Sequence, residues 1–146
     1  MHPIEDTDLT GVHVLLVDDN QDALDIFSSY LRHVGAVVTT AQNGAEALAL
    51  LQQAQAHVIV TDLSMPGMDG IEFVTRLRGH RGEAESPTPV IAVTAFPDTY
   101  LPESMHDLGF RSYLVKPVNP ERVAREVRAI YDYIRSTQDG NQRPKA

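Results

Sequence analysis

The chain contains no cysteine, which removes disulfide staples, thiolate nucleophiles and zinc–cysteine centres from consideration. That absence does not identify a compartment, because cytosolic proteins have no need of the residue. Positive charge is scarce: 12 Lys and Arg stand against 20 Asp and Glu, a formal net charge of −8. A sequence-independent DNA surface needs clustered cations to neutralise phosphates, so DNA is not an expected partner. Long apolar runs are missing as well. Nothing approaches the about 20 consecutive apolar residues of a spanning helix. Residues 1–10 are polar and acidic, without the apolar stretch of a signal peptide. The histidines (His2, His13, His33, His57, His80 and His106) lack metal-ligand spacing such as HExxH and are read as incidental. These absences together describe a soluble cytoplasmic protein with no membrane partner.

What is present is a single domain's worth of alternating elements. At 146 residues the chain can bury one full core but not two. Val12 to Val17 is apolar except for His13, as suits a central strand. Asn20 can cap a helix through Val34, with Leu24, Phe27 and Leu31 at helical spacing and Gly35 after its end. Ala36 to Ala41 reads as a second strand. Asn43-Gly44 opens a helix of strong formers, AEALALLQQAQ. His57 to Thr61 is the third strand, Met65 to Gly70 a loop, and Ile71 to Arg78 helical. Residues 79–89 form the most loop-like internal segment. Val90 to Val93 is the fourth strand, and a helix interrupted by Pro97 is expected only from Pro102 to Gly109. Ser112 to Val115 and Pro120 to Arg135 complete the series. Such alternation predicts an α/β fold with a parallel sheet covered on both faces and right-handed crossovers. Sites in that architecture lie beyond the carboxyl ends of the strands.

The chemically notable residues all fall at those ends: Asp18 and Asp19, Asp62, Thr94, and Lys116 before Pro117. Two adjacent carboxylates repel unless a cation or a shifted protonation relieves them, and Mg2+ suits an oxygen-ligand site that keeps several waters. A helix cap would explain one of these acids, but not both together with Asp62. A carboxylate at position 62 can act as a nucleophile toward phosphorus. Lys116 can pair with it and then offset phosphoryl charge. It is one of two lysines, the other being Lys145 in the polar tail. Thr94 can hydrogen-bond a phosphoryl oxygen, with small Ala95 beside it leaving access. The Lys116-Pro117 bond is a candidate cis peptide.

The pieces VLLVDDN, VTDLSMPGMDG, VIAVTAF and YLVKPV resemble the receiver domain of two-component response regulators over residues 12–135, and the intervals between Asp19, Asp62, Thr94 and Lys116 match that family's pattern. The local phrasing is most similar to receivers of hybrid histidine kinases, in a stand-alone single-domain form. The resemblance implies a doubly wound five-stranded parallel sheet of order 2-1-3-4-5, the flavodoxin-like receiver fold. It would occupy residues 11–135, between a flexible N-terminal arm (1–10) and a flexible tail (136–146). It also implies Asp62 as phosphoacceptor, taking phosphate from a sensor histidine kinase's phosphohistidine. Mg2+ would be held by Asp18, Asp19, Asp62 and the Ser64 main-chain carbonyl. Thr94, Ala95 and Lys116 would contact the phosphoryl group, Thr94 and Tyr113 would form the switch, and Ser64 and Phe96 would tune hydrolysis. Output would pass through the face of the fourth helix, fifth strand and fifth helix, in a monomer or weak homodimer. The target would be a partner protein or a histidine phosphotransfer protein. Catalysis would be confined to self-phosphorylation and loss of that phosphate. A competing expectation is a phosphate-independent interaction module of the same fold, which has no need for all five polar residues. A haloacid-dehalogenase-type phosphatase would want Asp-x-Asp, and Asp62-Leu63-Ser64 lacks the second acid.

Overall fold

The structure, a computed structural model, describes residues 7–80, 82–95 and 102–142. Its strands are β1 (His13–Val17), β2 (Val37–Ala41), β3 (Val58–Asp62), β4 (Val90–Thr94) and β5 (Ser112–Val115). They alternate with helices α1 (Gln21–His33), α2 (Gly44–Gln53), α3 (Gly70–Arg78), α4 (Pro102–Asp107) and α5 (Pro120–Gln142). All strand pairs are parallel and the sheet order is β2-β1-β3-β4-β5, the doubly wound arrangement expected.

Side-chain alternation along the strands builds two cores. Val14 and Leu16 of β1 pack with Leu24 and Leu31 of α1 and with Val123 and Val127 of α5. Leu15 and Val17 face the opposite layer, meeting Ala47 of α2, Phe73 and Leu77 of α3 and Met105 of α4. Strands β3 and β4 are buried along their whole length, as strands covered on both faces must be. Each fully buried Leu, Val or Phe stabilises the fold by about 1.5–3 kcal/mol.

Helix starts follow the capping residues. The side chains of Asn20, Asn43 and Asp69 accept the N–H groups of Ala23, Glu46 and Glu72, at 2.9, 2.8 and 2.8 Å. Gly35 follows α1 with φ +108°, and a Cβ there would stand 2.7 Å from the Thr10 hydroxyl. Both its backbone conformation and its neighbour therefore require glycine. The loop across 79–89 contains no helix or strand among its described residues. Arg78 and Glu83 hold it in place, with Arg78 reaching the Glu83 carboxylate at 2.6 Å and the Thr88 carbonyl at 2.8 Å.

The chain departs from the sequence expectation at both ends. Thr7 to Thr10, expected to belong to a loose arm, is packed: Leu9 is fully buried and its N–H donates to the Val34 carbonyl at 2.8 Å, while Arg128 of α5 donates to the Asp8 carbonyl. One apolar side chain in a polar segment supplies this anchor, too little for a periodicity to reveal. Residues 1–6 lie outside the described residues. At the other end α5 continues past Arg135 to Gln142, where the polar composition suggested a tail. Extending an established helix adds one backbone bond per residue fixed, and the Thr137 hydroxyl donates to the Tyr133 carbonyl. Strands β3 and β4 each run one residue farther than expected, so Asp62 and Thr94 close the strands themselves.

Candidate functional site

The carboxyl ends of β1, β3, β4 and β5 bring the predicted residues together. Asp62 is the last residue of β3, and its side chain is 9% exposed. One of its carboxylate oxygens accepts from the Lys116 ammonium at 3.0 Å and the other from the Ser64 N–H at 3.1 Å. The turn that delivers this N–H is set by packing, since Leu63 and Met65 are buried on either side of exposed Ser64. Gly70 closes the turn by donating its N–H to the Leu63 carbonyl at 2.9 Å. A Cβ on Gly70 would lie 2.5 Å from the Asp62 carbonyl oxygen. Sequence reasoning placed Gly70 in a loop and missed this close approach; its signal was the Asp69-Gly70 pair, a helix cap followed by the smallest residue.

Asp18 follows β1, half-buried, and accepts the Asn20 N–H at 2.9 Å. Asn20 then caps α1, so one short turn both starts the helix and directs the acid. Asp18, exposed Asp19 and Asp62 each offer a carboxylate oxygen, and these three atoms lie within 4.8 Å of one another. The carboxyl of Asp18 is pushed above the ordinary carboxylate range, chiefly because burial disfavours its charge. The Asn20 N–H and Lys116 oppose that rise, and the negative charges of Asp62 and Asp19 add to it. Three acids converging with so little compensation form an oxygen donor set suited to a hard divalent cation.

Thr94 ends β4 and is buried. Alternation puts it on the same sheet face as Ala92, whose partner on β5 is Tyr113. Tyr113 is half-buried in the layer beneath α2, α3 and α4. The N–H of Lys116 donates to the Thr94 carbonyl at 2.8 Å, which locks the two strand ends in register. The Lys116-Pro117 bond is cis. Ala95 is exposed next to Thr94, and Phe96 lies outside the described residues. The histidines are not all incidental: the His57 ring accepts the His13 N–H at 2.9 Å and meets Tyr131 edge-on, at the amino ends of the strands. Among the described residues no helix is long and apolar enough to cross a membrane.

The constellation falls inside residues 14–128, over which the chain matches the family model for the response regulator receiver domain. It is 38% identical over 120 residues to an uncharacterized 14.6 kDa protein in the sodA1 3′ region of Leptolyngbya boryana, covering 82% of this chain and 89% of that one. It is 32% identical over 133 residues to the transcriptional regulatory protein SrrA of Staphylococcus aureus, covering 91% of this chain but 53% of that relative, about half its length. Among solved structures, the chemotaxis response regulator CheY4 of Vibrio cholerae is similar at 34% identity and a TM-score of 0.73, over 83% of this chain and 99% of that one. The receiver domain of sensor histidine kinase PA1611 from Pseudomonas aeruginosa, with a magnesium ion in its active-site cleft, is similar at 25% identity and 0.74, over 84% and 99%. The Saccharomyces cerevisiae Ssk1 receiver domain, crystallised with the histidine phosphotransfer protein Ypd1, is similar at 26% identity and 0.73, over 84% and 88%. By sequence match and by fold, the chain belongs to the response regulator receiver domain family of two-component signalling.

Proposed function

We propose that this receiver is written by phosphorylation of Asp62. The observation that carries the reading is the bracketed carboxylate: Lys116 and the Ser64 amide hold its two oxygens at 3.0 and 3.1 Å, beside two further acids. In the transfer, an Asp62 oxygen attacks the phosphorus of a phosphohistidine, the new P–O bond forms, and the P–N bond breaks with its electron pair leaving on the imidazole nitrogen. Lys116 passes from the carboxylate to the phosphoryl oxygens and offsets their charge. The Thr94 hydroxyl donates to one of those oxygens, and Ala95 keeps that approach clear.

Asp18, Asp19, Asp62 and the Ser64 carbonyl would hold Mg2+, which supplies charge neutralisation for the phosphoryl oxygens. The shared sheet face of Thr94 and Tyr113 supports the switch: drawing Thr94 toward phosphate opens space that Tyr113 fills. That change shifts population toward the form that the α4, β5 and α5 face presents to a partner. The donor is a sensor histidine kinase, and a histidine phosphotransfer protein is a further partner, as Ypd1 is for Ssk1. The molecule acts in the cytoplasm as a monomer or weak homodimer. Ser64 and Phe96 set phosphate lifetime.

Intact mass after incubation with acetyl phosphate and Mg2+ tests the reading. One phosphoryl adduct is expected on the natural chain and none on Asp62→Asn. Absence of an adduct from the natural chain would favour the phosphate-independent interaction module. Decay of the adduct should change in Ser64→Ala and Phe96→Ala; unchanged decay in both would remove their tuning role.

A further inference from the structure

A cavity opens beneath the acceptor site, on the sheet face covered by α1 and α5. It is half open and spans about 480 Å3 between α1, the ends of β1, β3 and β4, and the turn after β5. Leu16, Leu24, Val60 and Val93 form its walls, each nearly inaccessible to solvent, and Asp18, Asp62 and Lys116 stand at its rim. Protein interiors ordinarily leave few voids larger than a water molecule. Ligand sites, in contrast, are concave volumes of roughly 300–1,000 Å3, mostly apolar, with a few convergent polar groups. This cavity has that size and that composition. Phosphoryl chemistry at Asp62 uses only the rim, so the apolar wall has no part in it.

The rim decides which ligand fits. The Lys116 ammonium is committed to Asp62 at 3.0 Å. Asp18 has the Asn20 N–H as a donor, and its neighbours within 4.8 Å are two further carboxylates. An anionic head would meet the carboxylates of Asp18 and Asp62 at the rim, and a wholly apolar molecule would cover them without adding a donor. We propose that the cavity binds a small amphipathic cation, with a protonated amine at Asp18 and Asp62 and an aryl or short alkyl body against Leu16, Leu24, Val60 and Val93. The amine and a divalent cation share carboxylates, so each weakens the other by the same factor. The inference goes beyond the phosphoacceptor reading and stands without it, because the cavity takes the cation whether or not Asp62 takes phosphate.

The test is titration of the full chain with n-octylammonium chloride at submicellar concentration, followed by NMR of Leu and Val methyl groups. Saturable shifts are expected at Leu16, Leu24, Val60 and Val93, with the apparent Kd raised at least about fivefold by saturating Mg2+. Octanoate shares the tail and methylammonium shares the head; each should bind at least about tenfold more weakly. Ala23→Phe on α1 and Val118→Phe on the turn after β5 fill the cavity from two different elements that line it, and either folded variant should lose the saturable shifts. Octanoate binding as tightly as octylammonium would overturn the proposal, as would shifts centred on another surface or undiminished binding in a folded filled variant. Should both variants fail to fold, the head and tail comparison on the natural chain still decides. Methyl shifts retained in a preparation that forms no phosphoryl adduct would sink the phosphoacceptor reading and leave this one.

Discussion

Asp18 carries the sharpest conflict between stability and function in the molecule. Its carboxyl is raised above the ordinary range because burial and two neighbouring acids disfavour its charge. A raised carboxyl contributes stability that is complete below the unfolded pKa of about 3.9 and is lost as pH rises through the folded value. At neutral pH without metal, Asp18→Asn should therefore melt at a higher temperature than the natural chain. Asn keeps an oxygen for the Asn20 N–H, so the turn survives. Added Mg2+ should raise the melting temperature of the natural chain and leave the variant nearly unmoved. Thermal melts of both proteins with Mg2+ and with chelator check this; a variant that melts lower without metal would contradict it. Residues of this kind were legible in the sequence because strand ends concentrate them. The Ser64 amide was not, since its direction depends on the burial of Leu63 and Met65, a tertiary fact.

At the scale of elements, the acceptor strand and α3 are joined by one close approach. A methyl group at Gly70 would meet the Asp62 carbonyl at 2.5 Å, and backbone cannot yield as a side-chain end can. Gly70→Ala should cost roughly 1–3 kcal/mol in urea unfolding and should also disturb the turn that presents the Ser64 amide. A variant as stable as the natural chain would show that the turn has slack. The sequence located the five strands and five helices of the described residues, by apolar spacing for most, by strong helix formers for α2 and by Pro102 at the first turn for α4. It misjudged boundaries where packing or propagation decides them. The seemingly incidental His57 caps the His13 N–H, and β3 starts one residue later than expected, at Val58. Helix α5 outran its apolar stripe, each residue added to a formed helix gaining one backbone bond.

The whole molecule is closed at its lower end by contacts that a list of motifs would omit. Leu9 bridges the N-terminal segment to the core shared by α1 and α5, and it is fully buried. Leu9→Ala should destabilise by about 2–4 kcal/mol while leaving the acceptor site at the opposite sheet edge intact; a loss of about 1 kcal/mol or less would mean the segment detaches freely. The same end holds a histidine that responds to acid. The His57 pKa is lowered by burial first, then by His13 and Arg135. A lowered imidazole contributes stability that is complete above the unfolded pKa of about 6.5 and is lost as pH falls through the folded value. Between about pH 7.5 and pH 5 the natural chain should lose more melting temperature than His57→Asn; equal losses would remove His57 from the account. Most directly, the central claim is that Asp62, and neither Asp18 nor Asp19, receives the phosphoryl group. Borohydride reduction of the acetyl phosphate-treated chain converts an acyl phosphate to an alcohol, which peptide mass mapping can locate. The modification should appear at Asp62 with Mg2+ and disappear with chelator; reduction at Asp18 or Asp19, or nowhere on the chain, would contradict the account.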